Sequence, residues 1–155
     1  MITLRSSAFA SHAPIPKKYT GDGANVSPPL RWLDLPSAAS ELALIVDDPD
    51  APTPQPWVHW VIYKIPSDLS DLNEGLPPNL QLPQGVLQGQ NSWPNSVGYR
   101  GPEPPRGHGV HHYYFKLYAL DAKLQVQAGL DAGALRKAMG GHILAQGELI
   151  GTYER

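Results

Sequence analysis

Trp57-Val58-His59-Trp60-Val61-Ile62-Tyr63 is the stretch on which the reading of this chain turns. It is rich in aromatic and β-branched residues and holds no glycine or proline, the composition of a strand. Side chains alternate across a strand, so Val58, Trp60 and Ile62 are expected on one face and Trp57, His59, Val61 and Tyr63 on the other. Neither face is polar, and a strand apolar on both sides belongs in the middle of a sheet. The run His111 to Leu120 reads the same way: His111, Tyr113, Phe115, Leu117 and Ala119 share one face, and His112, Tyr114, Lys116, Tyr118 and Leu120 the other. Glu41 to Val46 is a third strand, ending at an acidic turn.

Outward from these strands the pattern loosens. Residues 68–95 carry four prolines and three glycines and read as loop, with a short strand near Val86-Leu87-Gln88. Asp131 is placed to cap a helix through Leu135-Arg136-Lys137-Ala138-Met139, and Gly140-Gly141 to stop it. A last strand is expected over Glu148 to Tyr153, after a short helical or irregular piece. The fold class is therefore mainly β, predominantly antiparallel in two sheets, with one or two short helices late in the chain.

The length of 155 residues suits one domain spanning residues 1–155, able to bury roughly 70% of its unfolded surface. Twelve basic and fourteen acidic residues are scattered without a basic run, which argues against a nucleic-acid or polybasic membrane partner. There is no cysteine, so disulfide and thiolate chemistry are excluded. The first residues hold no apolar signal segment and no later stretch is long enough to span a bilayer, so a cytoplasmic protein without integral membrane association is expected. Seventeen prolines and fifteen glycines cluster between the apolar runs, as in a strand-rich domain with stiffened loops.

Two segments carry the chemistry. Asp48-Pro49-Asp50-Ala51-Pro52 leads into the strand that holds His59, and Gly101-Pro102-Glu103-Pro104-Pro105-Arg106-Gly107-His108-Gly109-Val110 opens onto His111-His112-Tyr113. A buried histidine is most often a core residue satisfied by one hydrogen bond, and paired aspartates most often cap a turn. Beside one another these residues read as two walls of one polar pocket. Asp48 is assigned to the pocket, with a carboxylate close to His59 that orients the ring and raises its pKa; Asp50 shapes the loop at the pocket wall. Of the loop amides, Glu103 N–H is the best fixed, since its neighbours are prolines without donors, and its side chain is expected to turn outward. His111 and Tyr113, two apart on a strand, project to one side and supply donors suited to phosphate or carboxylate oxygens.

These motifs resemble the phosphatidylethanolamine-binding protein family, also called Raf kinase inhibitor-like proteins, in its bacterial and archaeal YbhB/YbcL branch. The shared features are Asp48-Pro49-Asp50-Ala51-Pro52, Trp57-x-His59, Tyr99-x-Gly101-Pro102-x-Pro104-Pro105-x-Gly107 and His111-x-Tyr113-x-Phe115-x-Leu117-Tyr118. Asp22-Gly23-x-Asn25-x-Ser27-Pro28-Pro29-Leu30-x-Trp32 looks like the branch's N-terminal signature, and Gly141-His142 to Tyr153 like its ending. The resemblance implies a large central antiparallel sheet packed on a smaller one, with short helices near the C-terminus. It implies a pocket for phosphate, phosphorylethanolamine or carboxylate groups at Asp48, His59, His111 and Tyr113 with the Glu103 backbone donor, walled by Trp57 and Pro105 beside Gly101 and Asp50. A homodimer is also implied. In the animal members glycine stands at the position of Glu103 and arginine at that of His112, and a further C-terminal helix gates the pocket; the last residue here is Arg155, so a more open pocket is expected.

The function expected is non-enzymatic binding of a small anionic ligand, without cofactor or metal. The alternative is an interaction protein that regulates a partner kinase or protease through the pocket rim. A hydrolase built on Asp48, His59, His111 and His112 is disfavoured, because adjacent strand residues face opposite ways and no serine is placed to complete a triad. No catalytic residue is assigned.

Overall fold

The computed structural model describes residues 1–155. Its strands are β1 (Thr3–Arg5), β2 (Ala13–Pro14), β3 (Leu30–Leu33), β4 (Glu41–Asp48), β5 (Trp57–Pro66), β6 (Asp71–Leu72), β7 (Leu87–Gln88), β8 (His111–Leu120) and β9 (Ile143–Tyr153). One α-helix, α1 (Ala132–Met139), lies between β8 and β9, and single 3₁₀ turns occupy Lys17–Tyr19 and Pro83–Gly85. Six strands form the large sheet in the order β2-β9-β8-β4-β5-β7, and β1-β3-β6 form a small one. All pairings are antiparallel except β2 with β9.

The central strands are those whose two faces are both apolar. Every residue of β4 is buried, and β4 lies between β5 and β8. On one side of the large sheet, Leu44, Val46, Trp60, Ile62, Phe115 and Leu117 pack with Leu4, Leu30 and Trp32 of the small sheet. On the other, Ala43, Ile45, Val61, Tyr63 and Leu120 pack under Ala132, Leu135 and Met139 of α1. Those three helix residues recur at helical spacing, and Asp131 Oδ1 accepts the Ala134 N–H at 2.8 Å to cap the first turn. Leu135 is fully buried, a burial that contributes about 2 kcal/mol.

Alternation along β5 is broken by a bulge. Trp57 lies opposite Asp48 and Val58 opposite Asp47, yet Trp60 lies opposite Val46, so His59 is an extra residue on β5. A bulge of this kind shifts the following residues to the other face. Val58 accordingly packs with Val61 and Tyr63 on the helix side, not with Trp60 and Ile62. The expected two faces of 57–63 are therefore corrected.

The last strand is also longer than expected, running from Ile143 with no helical piece before Glu148. Gly147 interrupts its apolar pattern because the chain crosses there: a Cβ on Gly147 would stand 2.4 Å from the Ile2 carbonyl oxygen. One α-helix is found late in the chain, within the expected one or two. No helix is long and apolar enough to cross a membrane.

Candidate functional site

The end of β4, the start of β5, the start of β8 and two loops enclose a cavity of about 200 Å³. Asp48, His59, Glu103, His111 and Tyr113 all line it, together with Trp57 and Pro105. The strand register explains the convergence. Asp47 points to the helix side, where Arg136 of α1 donates to it at 3.2 Å, so Asp48 points to the opposite side. The bulge brings His59 to that side, against Tyr113, with ring centroids 5.1 Å apart and edge to face.

The partners differ from the expectation. Asp48 is bonded to His111, its Oδ2 standing 2.6 Å from His111 Nδ1, and its Oδ1 accepts the Asp50 N–H at 2.8 Å. His59 Nδ1 instead meets the Arg100 carbonyl oxygen at 2.6 Å. The expected Asp48–His59 pair is therefore corrected, because the ring of His59 is turned toward the strand's own neighbour, residues 99–101. Its pKa moves opposite to expectation: burial lowers it to about 4, against the raising effect of the Arg100 and Gly101 backbone. Burial raises the Asp48 pKa, with the His111 and Asp50 hydrogen bonds opposing, and burial likewise raises that of Tyr113.

Asp50 is not part of the wall. The turn that ties its N–H to Asp48 leaves its carboxylate outside, where Oδ2 accepts the His112 N–H at 2.8 Å and meets His112 Nδ1 at 2.7 Å. These bonds outweigh partial burial and lower the Asp50 pKa. Gly101 does not line the cavity either. Its N–H donates to Asn25 Oδ1 at 2.7 Å, and a Cβ there would stand 2.0 Å from the Tyr19 carbonyl oxygen. It is glycine because the 101–105 loop lies directly on residues 19–25.

That support extends along the loop. The Gly21 N–H donates to the Pro102 carbonyl at 2.8 Å, and the Glu103 side chain lies along Gly21, where an added Cβ would meet its Cδ at 2.9 Å. The carboxyl group is thus carried aside as expected, and the Glu103 N–H donates to no group of the chain. Arg155 fastens the far end: its guanidinium pairs with Asp22 at 3.1 Å and reaches the Pro104 carbonyl at 3.4 Å, while its own carbonyl accepts the Gly107 N–H. Early and last residues of the chain together hold the pocket loop.

Sequence reasoning missed several lining residues. Trp93, from the proline-rich stretch 68–95, stands edge to face with His59 at 5.1 Å and with Trp57 at 5.4 Å, and Arg100 lies 4.4 Å over its ring. Its one signal was an aromatic set before Pro94-Asn95 in an otherwise polar loop. Ala51, Pro52, Thr53 and Pro104 complete the wall. His108, outside the lining, holds the second ring nitrogen of His111: its Nδ1 is 2.5 Å from His111 Nε2, so both ring nitrogens of His111 are engaged. A larger hollow of about 600 Å³ around Ser40, Glu41, Lys64 and Lys123 has its buried Glu41 already bonded to the Leu124 N–H and Lys64. None of the residues lining it has a buried side-chain polar atom left without a partner.

What the small cavity offers is two donors without partners in the chain, Tyr113 Oη and the Glu103 N–H, and one ring nitrogen, His59 Nε2, among aromatic and proline walls. A family model described as phosphatidylethanolamine-binding protein matches residues 5–154. A UPF0098 protein of Methanothermobacter thermautotrophicus is 47% identical over 154 residues, spanning 99% of each chain. A phosphatidylethanolamine-binding protein homologue from Chlamydia trachomatis, solved by crystallography, superposes with a TM-score of 0.89 at 42% identity over 99% of this chain and 97% of that one. Escherichia coli YbcL, described as a member of the mammalian family, superposes with a TM-score of 0.91 at 28% identity over 99% and 98%.

Proposed function

Because the chain belongs to the phosphatidylethanolamine-binding protein family, we propose that it is a non-enzymatic binding protein for small anionic ligands, of which phosphate, phosphorylethanolamine-like and carboxylate groups are the candidates. The observation that supports this is the pair of unpartnered donors, Tyr113 Oη and the Glu103 N–H, lining one cavity. Donors held on one cavity by the fold bind an anion at a smaller cost of reorganising. The size agrees, since about 200 Å³ is below the usual range for drug-sized ligands and suits a phosphate with a short substituent.

Binding without turnover is favoured by how the neighbouring groups are used. The Thr53 hydroxyl, the nearest candidate nucleophile, donates to the Gln55 carbonyl at 2.5 Å. The Asp48 carboxylate is spent on His111 and the Asp50 N–H. The test is an amide NMR titration with inorganic phosphate and phosphorylethanolamine at pH 6.5, on wild type and Tyr113→Phe. Saturable shifts at Glu103, His111 and Tyr113, weakened about tenfold in the variant, are expected, since a charge-assisted hydrogen bond contributes about 1.5 kcal/mol. Absence of saturable shifts in wild type overturns the reading.

A further inference from the structure

We propose that the pocket selects phosphomonoesters in their singly protonated form, and rejects phosphodiesters, because the His59 nitrogen that meets the ligand accepts a hydrogen bond instead of donating one. This rests on the anion-binding reading and narrows it to a ligand class.

The argument begins at His59 Nδ1, 2.6 Å from the Arg100 carbonyl oxygen. A carbonyl only accepts, so Nδ1 carries the hydrogen. A neutral imidazole has one N–H, which leaves Nε2 a bare lone pair. Nε2 donates only if the ring is a cation. The groups around it are Arg100 beside its own strand, His111 and Tyr113 from β8, Asp48 from β4, Glu103 from the proline loop and the Trp93 ring. Burial dominates among these influences, and the charges of Arg100 and His111 act in the same direction. The ring is therefore neutral above about pH 5, given a pKa of about 4.

His111 does not replace it as a donor, since Asp48 holds one of its nitrogens and His108 the other. The cavity then presents two donors, Tyr113 Oη and the Glu103 N–H, and one acceptor, His59 Nε2. The complementary ligand has two accepting oxygens and one O–H. A phosphomonoester monoanion carries that set. Its dianion sets a bare anionic oxygen against a lone pair, beside the Asp48 carboxylate. A phosphodiester, the linkage of a phospholipid headgroup, has no P–O–H at all. Leaving a buried acceptor unpaired is penalised more heavily than the bond itself contributes, so the discrimination against the diester is expected to be tenfold or more.

The experiment is calorimetric titration of the whole protein with methyl phosphate, dimethyl phosphate and methylphosphonate from pH 5 to 8.5, with long-range ¹H–¹⁵N spectra of the histidine rings. Methyl phosphate is expected to bind at least about tenfold more tightly than dimethyl phosphate. Its apparent affinity should fall about tenfold for each pH unit above its second ionisation, near pH 6. Methylphosphonate ionises at higher pH, and its profile should be displaced by that interval, because the titrating proton is the ligand's. His59 Nε2 should carry no hydrogen in the free protein. Equal binding of the diester, or superimposable pH profiles for the two monoacids, overturns this proposal and leaves anion binding standing. Failure of every ligand, inorganic phosphate included, overturns both readings.

Discussion

Asp48 orients His111, not His59: Asp48 Oδ2 and His111 Nδ1 are 2.6 Å apart, and both residues are almost wholly buried. The pair ties the end of β4 to the start of β8 just beyond the last ladder partners, Asp47 and Tyr114. Its companion bond, from the Asp50 N–H to Asp48 Oδ1, folds the acidic turn back against the strand. One carboxylate thus shapes two walls of the pocket.

Asp48→Ala removes both bonds and leaves the His111 Nδ1–H and the Asp50 N–H without acceptors. Urea unfolding should show a loss of about 3 kcal/mol. Asp48→Asn keeps an acceptor and should lose about half of that. A variant as stable as wild type would show that the pair contributes nothing net.

His59 makes stability depend on pH with a definite sign. Its folded pKa of about 4 lies below its ordinary 6.5, so between these values the unfolded chain binds more protons. Stability from this source is fully present above about pH 6.5, falls as pH drops toward 4, and is flat below. The whole swing is on the order of 3 kcal/mol. Asp48, whose pKa is raised, acts in the opposite sense just above its ordinary 3.8. The reading is therefore the difference between wild type and His59→Asn, measured by urea unfolding at pH 4.5 and 7; a difference independent of pH would contradict it.

Trp93 shields His59 by an edge-to-face contact at 5.1 Å. Trp93→Ala should let water reach the imidazole and raise its pKa from about 4 toward the ordinary value. Histidine NMR titration reads this directly. Lost packing against Trp57 and Arg100 should lower stability by about 2 kcal/mol, since the indole is only partly buried.

Two loop glycines should respond differently to alanine. At Gly101 the new Cβ meets the Tyr19 carbonyl at 2.0 Å, so Gly101→Ala must push the loop off residues 19–25 at about 3 kcal/mol and shift the Glu103 amide resonance. Gly107 has open space but a φ of +76°, so Gly107→Ala should cost about 1 kcal/mol. Equal effects would contradict the close-approach account.

Much of this was legible in the chain. His111 to Leu120 is a strand over the bounds read from its alternation, and Asp131 caps the helix as its position before an apolar-periodic run implied. Asp48, His59, Glu103, His111 and Tyr113 were singled out by type and spacing, and they do meet. Trp93 left only a weak signal, because it comes from a loop whose path is set by contacts with β5 and not by its own pattern. Asp50 was misplaced at the wall because a carboxylate's direction in a turn depends on which N–H its neighbour captures.

The sequence alone determined the elements: two-faced apolar runs must be central strands, and an aspartate before residues 135–139 with two glycines after them must bound a helix late in the chain. The tertiary structure alone decided which way His59 points. Strict alternation sends His59 to the face of Val61 and Tyr63, under α1. One extra residue in the β4–β5 pairing reverses that and delivers the ring to Tyr113. A bulge is a property of two strands in register, not of either one, and so no pattern within residues 57–63 records it.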